Sequence, residues 1–162
     1  MTDGDLTTWH RRALAAEVPI SATLELTHRC NLKCAFCCNR RIDDERPLRL
    51  EEWLEVISEL RRLGTLFVTL TGGEPLAHPR FFEIAGAVLE RHMALRLLTN
   101  GTLIDTGTAE KIAGLHPLSV ELSLHGAAAR THDAATGVPG SFEAMWRAVD
   151  LLERLGVPMV PS

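Results

Sequence analysis

Short apolar runs of period two alternate with runs of helical period along almost the whole chain. No other feature of the sequence limits the possible folds as tightly. Over residues 20–27, Ile20, Ala22, Leu24 and Leu26 alternate with Ser21, Thr23, Glu25 and Thr27, the two-residue repeat of a strand with one buried face. Leu50, Trp53, Leu54, Ile57, Leu60 and Leu63 then recur at helical spacing until Gly64 stops the run. The same rhythm predicts strands over 65–71, 94–99 and 118–124, and the opening of a fifth over 157–160. Helices are expected from Pro79 (Phe81, Ile84, Ala85, Val88), over 105–113, and from a cap at Ser141 through Phe142, Met145, Trp146, Val149 and Leu152 to Gly156. Residues 1–19, with only Trp9, Leu14 and Val18 weakly spaced before Pro19, are expected to form a leader, a short helix or arm, ahead of a core domain over 20–162. Regular strand–helix alternation argues for α/β, a parallel sheet with helical crossovers.

Composition closes off several function classes. No window approaches the roughly 20 apolar residues of a membrane helix. The acidic start, Met1-Thr2-Asp3-Gly4-Asp5, lacks the apolar run of a secretory signal, so a cytoplasmic location with no membrane partner is expected. A hydrophobic share of 46% is too high for disorder. A net charge of −4 without a basic block leaves no footprint for nucleic acid as the main partner.

Cys30, Cys34, Cys37 and Cys38 lie too close together to staple distant segments, which favours metal binding or redox chemistry. The Cys30-x3-Cys34-x2-Cys37 spacing suits a soft metal or an iron–sulfur cluster. Three thiolates on a cubane cluster leave one iron open to substrate. Zinc would need a fourth ligand: Cys38 adjoins Cys37 and reaches the same ion poorly, which leaves His28. Other polar motifs sit where strands end: Gly72-Gly73-Glu74-Pro75, Thr99-Asn100-Gly101 and Ser123-Leu124-His125-Gly126. In a parallel sheet or barrel those ends share one face, where such folds place their active sites. Read alone, the first of these is a strand-ending turn, Asn100 takes the left-handed position of an Asn-Gly turn, and Ser123 is a sheet-satisfying hydroxyl.

The segment Cys30-Asn31-Leu32-Lys33-Cys34-Ala35-Phe36-Cys37 strongly resembles the cluster loop of the radical S-adenosylmethionine (radical SAM) superfamily, including the aromatic Phe36 before the third cysteine. Gly72-Gly73-Glu74-Pro75 is similar to that family's GGEP motif, and Thr99-Asn100-Gly101 to its third-strand motif. Ser123 to Gly126, His132-Asp133 and Gly140-Ser141-Phe142 resemble its peptide- and protein-modifying branch. The resemblance implies that Cys30, Cys34 and Cys37 hold a 4Fe–4S cluster whose open iron binds the amino and carboxylate groups of SAM. One electron then breaks the S–C5′ bond, giving methionine and a 5′-deoxyadenosyl radical that takes hydrogen from a substrate in a dry pocket. The backbone around Gly72, Gly73 and Pro75, helped by Glu74, would accept hydrogen bonds from the ammonium of SAM. Asn100 and Ser123 would add contacts to SAM, with Phe36 beside them. A peptide or protein is the implied substrate, and a reductant such as flavodoxin or ferredoxin the implied electron donor.

Further residues divide between site and scaffold. His125 faces substrate or cofactor, or is a solvated loop histidine, and His132-Asp133 fixes the loop before the last helix. In related proteins an arginine often stands three residues after this aspartate, against the SAM carboxylate; here that position is Thr136, with Arg130 as the nearest substitute. Cys38 reads as a small side chain outside the cluster, and His78 as a brace for the turn after Pro75. His10, His92 and His116 read as surface residues, and Trp53, Phe81 and Trp146 as core.

The chain has 162 residues against the about 250 of a closed eight-stranded barrel. The expected architecture is therefore a partial TIM-like βα barrel of parallel strands, about four and a half βα units, cut off after the start of the fifth strand. Such a chain is expected to be the cofactor-binding part of a larger catalyst and poorly soluble alone, with an unpaired strand edge. Two rival readings stand beside it: an inactive remnant that binds cluster or SAM without turnover, and a zinc-binding interaction module.

Overall fold

The computed structural model describes residues 8, 11–39 and 47–161. Within them the alternation takes the form β1 (Ser21–Glu25), α1 (Leu50–Arg62), β2 (Phe67–Thr71), α2 (Phe81–Glu90), β3 (Ala94–Thr99), α3 (Thr106–Gly114), β4 (Ser119–Leu122), α4 (Ala129–Thr136), α5 (Ser141–Arg154) and β5 (Met159–Pro161). A short 3-10 helix, Pro75–Ala77, lies between β2 and α2. In the leader, residues 11–15 are helical; Trp9 and His10 lie outside the described residues.

Each strand pairs in parallel with its neighbour in sequence, giving one sheet in the order β1-β2-β3-β4-β5. Right-handed crossovers between successive neighbours place the helices on one face. On that face Leu24, Val68, Leu70, Leu95, Leu97, Val120 and Leu122 meet Trp53 and Ile57 of α1, Phe81 and Ile84 of α2, Ile112 of α3 and Leu152 of α5 in a single core. Burying one such aliphatic side chain stabilises the fold by roughly 1.5–3 kcal/mol. The opposite face is mostly polar, with Phe67 and Leu98 among its apolar members. Thr23, Thr69, Arg96 and Ser119 share one register row, and Glu25 pairs with Thr71 and Leu98 with Glu121. The Arg96 guanidinium lies 5.3 Å from the centre of the Phe67 ring. One face against helices and one left to line an interior is the cross-section of a βα barrel opened along its length. The fold is α/β, a partial barrel. No helix among the described residues is long and apolar enough to cross a membrane.

Several expected boundaries move. β1 ends at Glu25 rather than at residue 27, and β2 starts at Phe67 rather than at 65, because Leu66 and Phe67 both donate to the Ile20 carbonyl (2.9 and 3.1 Å). β4 spans four residues instead of seven, and β5 is displaced to Met159–Pro161. α2 begins at Phe81, not at Pro79, after the 3-10 helix; His78 Nδ1 braces the bend by accepting from the Arg80 N–H (3.2 Å). Ser141 is not the cap of α5. Gly140 occupies that place in a left-handed conformation (φ 82°), and Ser141 is the first helical residue. α4, read in the sequence as a loop, is a helix of eight residues. His92 and His116 are exposed as expected.

Candidate functional site

The segments that follow β1, β2 and β3 are hydrogen-bonded into one unit. The Gly73 N–H donates to the Thr27 carbonyl (2.6 Å) and the Glu74 N–H to the Arg29 carbonyl (2.8 Å), so the GGEP turn runs against the chain entering the cysteine loop. The approach admits only glycine. A Cβ on Gly72 would lie 2.4 Å from the Thr27 carbonyl oxygen, and one on Gly73 2.4 Å from that of Arg29. Gly72 also has φ +138°. Pro75 is buried at the start of the 3-10 helix, where its missing N–H costs nothing.

Glu74 is fully buried. Its Oε1 accepts from the Thr99 hydroxyl (2.7 Å) and the Leu76 N–H (3.0 Å), and its Oε2 from the Asn100 N–H (2.9 Å). Burial pushes its carboxyl pKa up, while the bonds from Asn100, Thr99 and Leu76 pull against that rise. The carboxylate expected to help with an ammonium ligand thus joins the GGEP turn to the end of β3.

Asn100 is 8% exposed. Its Nδ2 donates to Asn31 Oδ1 (3.0 Å) and to Cys30 Sγ (3.7 Å). Its Oδ1 accepts from the Thr102 N–H (2.9 Å) and the Thr102 hydroxyl (2.6 Å). The left-handed position of this turn falls on Gly101 (φ 76°), and Asn100 is absent from the residues with positive φ, contrary to the Asn-Gly expectation.

Cys30 Sγ also accepts from the Leu32 N–H (3.4 Å). Cys30 and Cys34 are half-buried; Cys37 and Cys38 are exposed. The Cys34 thiol is pushed up first by burial and then by Cys30 and Cys37. Among the described residues no three His, Cys, Asp or Glu side chains form a ready-made metal site. The donor chemistry nevertheless fits an iron–sulfur cluster: three free thiols on one loop, with N–H groups aimed at Cys30 sulfur. His28, the alternative fourth ligand for zinc, has Nδ1 3.1 Å from Asn39 Oδ1. Phe36 is 61% exposed and meets the His125 ring edge-on at 4.8 Å.

At the end of β4, Ser123 is half-buried and its N–H donates to the Thr99 carbonyl (3.1 Å). The segment beyond holds the expected fixing of the loop by His132-Asp133 and one element that sequence reasoning missed, the helix α4. α4 grips the cysteine loop: the Lys33 N–H donates to the Thr136 carbonyl (2.8 Å) and the Ala35 N–H to that of Ala135 (3.0 Å). Gly137 ends α4 at φ +69°, where a Cβ would lie 2.9 Å from the Lys33 carbonyl oxygen. Asp133 caps α5 by accepting from the Gly140 N–H (2.6 Å), the Phe142 N–H (2.9 Å) and the Ser141 hydroxyl (2.9 Å). The backbone bonds from Gly140 and Phe142 hold its carboxyl below the usual carboxylate range. Buried His132 accepts the His125 N–H at Nδ1 (3.2 Å) and stacks on the His125 ring at 5.6 Å; burial, then His125, pushes its pKa down. Thr136 is fully buried with its hydroxyl 2.7 Å from that of Ser141, and Arg130 is exposed. The signal for this latch was the spacing of His132-Asp133 and Gly140-Ser141-Phe142.

The family pattern of the Radical SAM superfamily matches residues 24–160. PqqA peptide cyclase of Granulibacter bethesdensis is 30% identical over 146 residues, covering 88% of this chain and 39% of that protein. AdoMet-dependent heme synthase of Methanosarcina barkeri is 37% identical over 138 residues, covering 83% and 39%. Streptococcus suis SuiB, in its crystal structure bound to precursor peptide SuiA, shares the fold with a TM-score of 0.80 at 19% identity, over 98% of this chain and 36% of that one. The chain therefore spans less than two fifths of each of these proteins.

Proposed function

The chain belongs to the radical SAM superfamily, and on that premise we propose that it forms the S-adenosylmethionine-cleaving part of an enzyme that acts on a peptide or protein. In this reading residues 1–19 are a leader to a core domain over 20–162. Cys30, Cys34 and Cys37 would hold the 4Fe–4S cluster. When bound, that cluster supplies the electron that splits SAM into methionine and a 5′-deoxyadenosyl radical able to take a hydrogen atom from substrate. The observation that carries the reading is the hydrogen-bonded unit of cysteine loop, GGEP turn and Asn100 turn at one end of a parallel sheet.

The chain's own residues would divide the work. The carbonyls of Gly72 and Gly73 would receive the SAM ammonium, since the Glu74 carboxylate is engaged by Thr99, Leu76 and Asn100. Ser123, at the end of β4, offers a hydroxyl to the ribose or carboxylate of SAM. Phe36 would screen the cluster side from water. A reducing electron donor such as flavodoxin or ferredoxin would deliver the electron.

Anaerobic reconstitution with iron and sulfide should give a visible iron–sulfur chromophore, and dithionite with SAM should release 5′-deoxyadenosine. One zinc per chain and no iron would overturn the reading in favour of a zinc module. Cluster and SAM binding without nucleoside product would support an inactive remnant. The peptide substrate is supported by likeness to the PqqA peptide cyclase, while the heme synthase relative keeps a second substrate class in play. Transfer of deuterium from a labelled candidate peptide into 5′-deoxyadenosine would decide for a peptide.

A further inference from the structure

We infer that Asn100 is a positioning residue that sets the reduction potential of the cluster, by directing a side-chain N–H at the sulfur of Cys30. The inference deepens the cluster reading above and rests on it.

The orientation of this amide is fixed by its surroundings. Flipped, it would set its NH2 group against the Thr102 N–H, 2.9 Å away, which can only donate, and its oxygen against Asn31 Oδ1, 3.0 Å away, which can only accept. Only the observed orientation satisfies all four contacts, and it leaves an N–H facing Cys30 Sγ at 3.7 Å. The group is also held in place from behind. The Asn100 backbone N–H is bound by buried Glu74 (2.9 Å), and Asn31 Nδ2 donates to the Thr102 hydroxyl (2.7 Å) that in turn reaches Asn100 Oδ1. With the Leu32 N–H at 3.4 Å, Cys30 receives two N–H dipoles, one from its own loop and one from the end of β3.

An N–H pointed at a ligand sulfur stabilises the more negative, reduced state more than the oxidised one, and so raises the reduction potential. The strand-end turn that carries Asn100 thereby influences how readily the cluster accepts its electron, as well as standing close to the SAM site.

The test is the midpoint potential of the reconstituted chain without SAM, followed by EPR during a dithionite titration. Asn100→Leu removes the N–H at similar size. It should lower the reduced-to-oxidised ratio at a fixed applied potential about tenfold, a shift of about 59 mV to the negative for one electron. Asn100→Asp keeps an acceptor for Thr102 but turns a carboxylate toward the sulfur, and should shift the midpoint further in the same direction. A residue that only bound SAM would leave these potentials unchanged and lower SAM affinity alone. A residue that only held the loop would lower iron content and leave the potential of the loaded fraction at its wild-type value. If the variants lose the cluster, pulsed EPR of wild-type protein labelled with heavy nitrogen in asparagine side chains gives the second reading. A nitrogen coupling is expected, and its absence overturns the proposal. Failure of wild-type protein to take up iron would overturn the cluster reading and this one together. Loaded variants at the wild-type potential would overturn this one alone.

Discussion

Replacing Gly73 with alanine separates the two loops that build the site. Gly73 has no positive φ, so the penalty is steric. The new Cβ would lie 2.4 Å from the Arg29 carbonyl oxygen and 2.7 Å from that of His28, where ordinary contact begins at 3.4 Å. Both opponents are backbone and cannot swing aside, so the GGEP turn and the entrance to the cysteine loop must part by about 1 Å in an interior packed to crystal density. Hydrogen bonds of 2.6 and 2.8 Å between those segments then stretch beyond the range of a useful N–H···O bond. Two lost bonds at about 1 kcal/mol each and overpacking at about 1–3 kcal/mol give a destabilisation of about 3–5 kcal/mol. That is a large part of the about 5–15 kcal/mol of an ordinary domain. In urea unfolding followed by circular dichroism, a slope of about 2 kcal/mol per molar turns this into a midpoint lower by about 1.5–2.5 M. Iron content after reconstitution should fall with it. Gly86→Ala is the matched control: it lies inside α2 with nothing within 4 Å of the added carbon, and should be more stable by about 0.4–1 kcal/mol. A Gly73→Ala protein within about 0.5 kcal/mol of wild type and fully loaded with iron would refute the reasoning.

Glu74→Gln should destabilise by about 1–3 kcal/mol, because either amide orientation sets an NH2 group against a backbone N–H, that of Leu76 or that of Asn100; chemical denaturation measures the loss. Asp133 has a folded pKa held below its unfolded value by the Gly140 and Phe142 N–H groups, so its stabilisation is full above about pH 3.9 and is lost as pH falls through the lower folded value. Thermal melts of Asp133→Ala and wild type should therefore differ at neutral pH and converge in acid, and a gap that persists in strong acid would contradict this. Cys34→Ser should abolish iron binding while Cys38→Ser keeps it, as iron analysis of anaerobically reconstituted protein will show.

The parts of the fold that were legible carry their information locally. β3 runs over Ala94–Thr99 as read, because the buried Leu95, Leu97 and Thr99 alternate with half-buried neighbours. α1 begins at Leu50 as read, with a clear apolar stripe. α4 was illegible for the opposite reason. Its sequence, ARTHDAAT, has no apolar stripe, and a helix of eight residues is marginal on its own. What holds it is tertiary: two carbonyls near its end receive N–H groups from the cysteine loop, a hundred residues earlier in the chain. Serine favours the cap position, yet Gly140 takes it here, and Asp133 satisfies the Gly140 and Phe142 N–H groups from across a turn. In the site, motif spacing located the residues but not their use. Nothing in Gly72-Gly73-Glu74-Pro75 says that the carboxylate faces inward; that depends on the hydroxyl of Thr99 and the N–H of Asn100, brought opposite by the β2–β3 pairing.

That inward carboxylate explains how an open, partial barrel can hold a defined site. A buried charge is costly unless it is fully hydrogen-bonded, and Glu74 reaches that state only when the GGEP turn, the 3-10 helix and the end of β3 occupy their observed places together. The requirement passes onward. Fixing the Asn100 backbone fixes its side chain, which meets Asn31 and Cys30, while the Gly73 and Glu74 N–H groups tie the same turn to Thr27 and Arg29 just before the first cysteine. From the far side, the α4 carbonyls hold Lys33 and Ala35 between the cysteines. The loop is thus anchored at its entrance and its middle by elements from three strand ends. Cys37 and Cys38 are its exposed cysteines, and just beyond them the Asn39 side chain donates back to the His28 carbonyl (3.0 Å). A cluster binding here would find Cys30 already oriented by two N–H groups, on a loop tied at its entrance, its middle and its far end, which lowers the conformational cost of metal uptake.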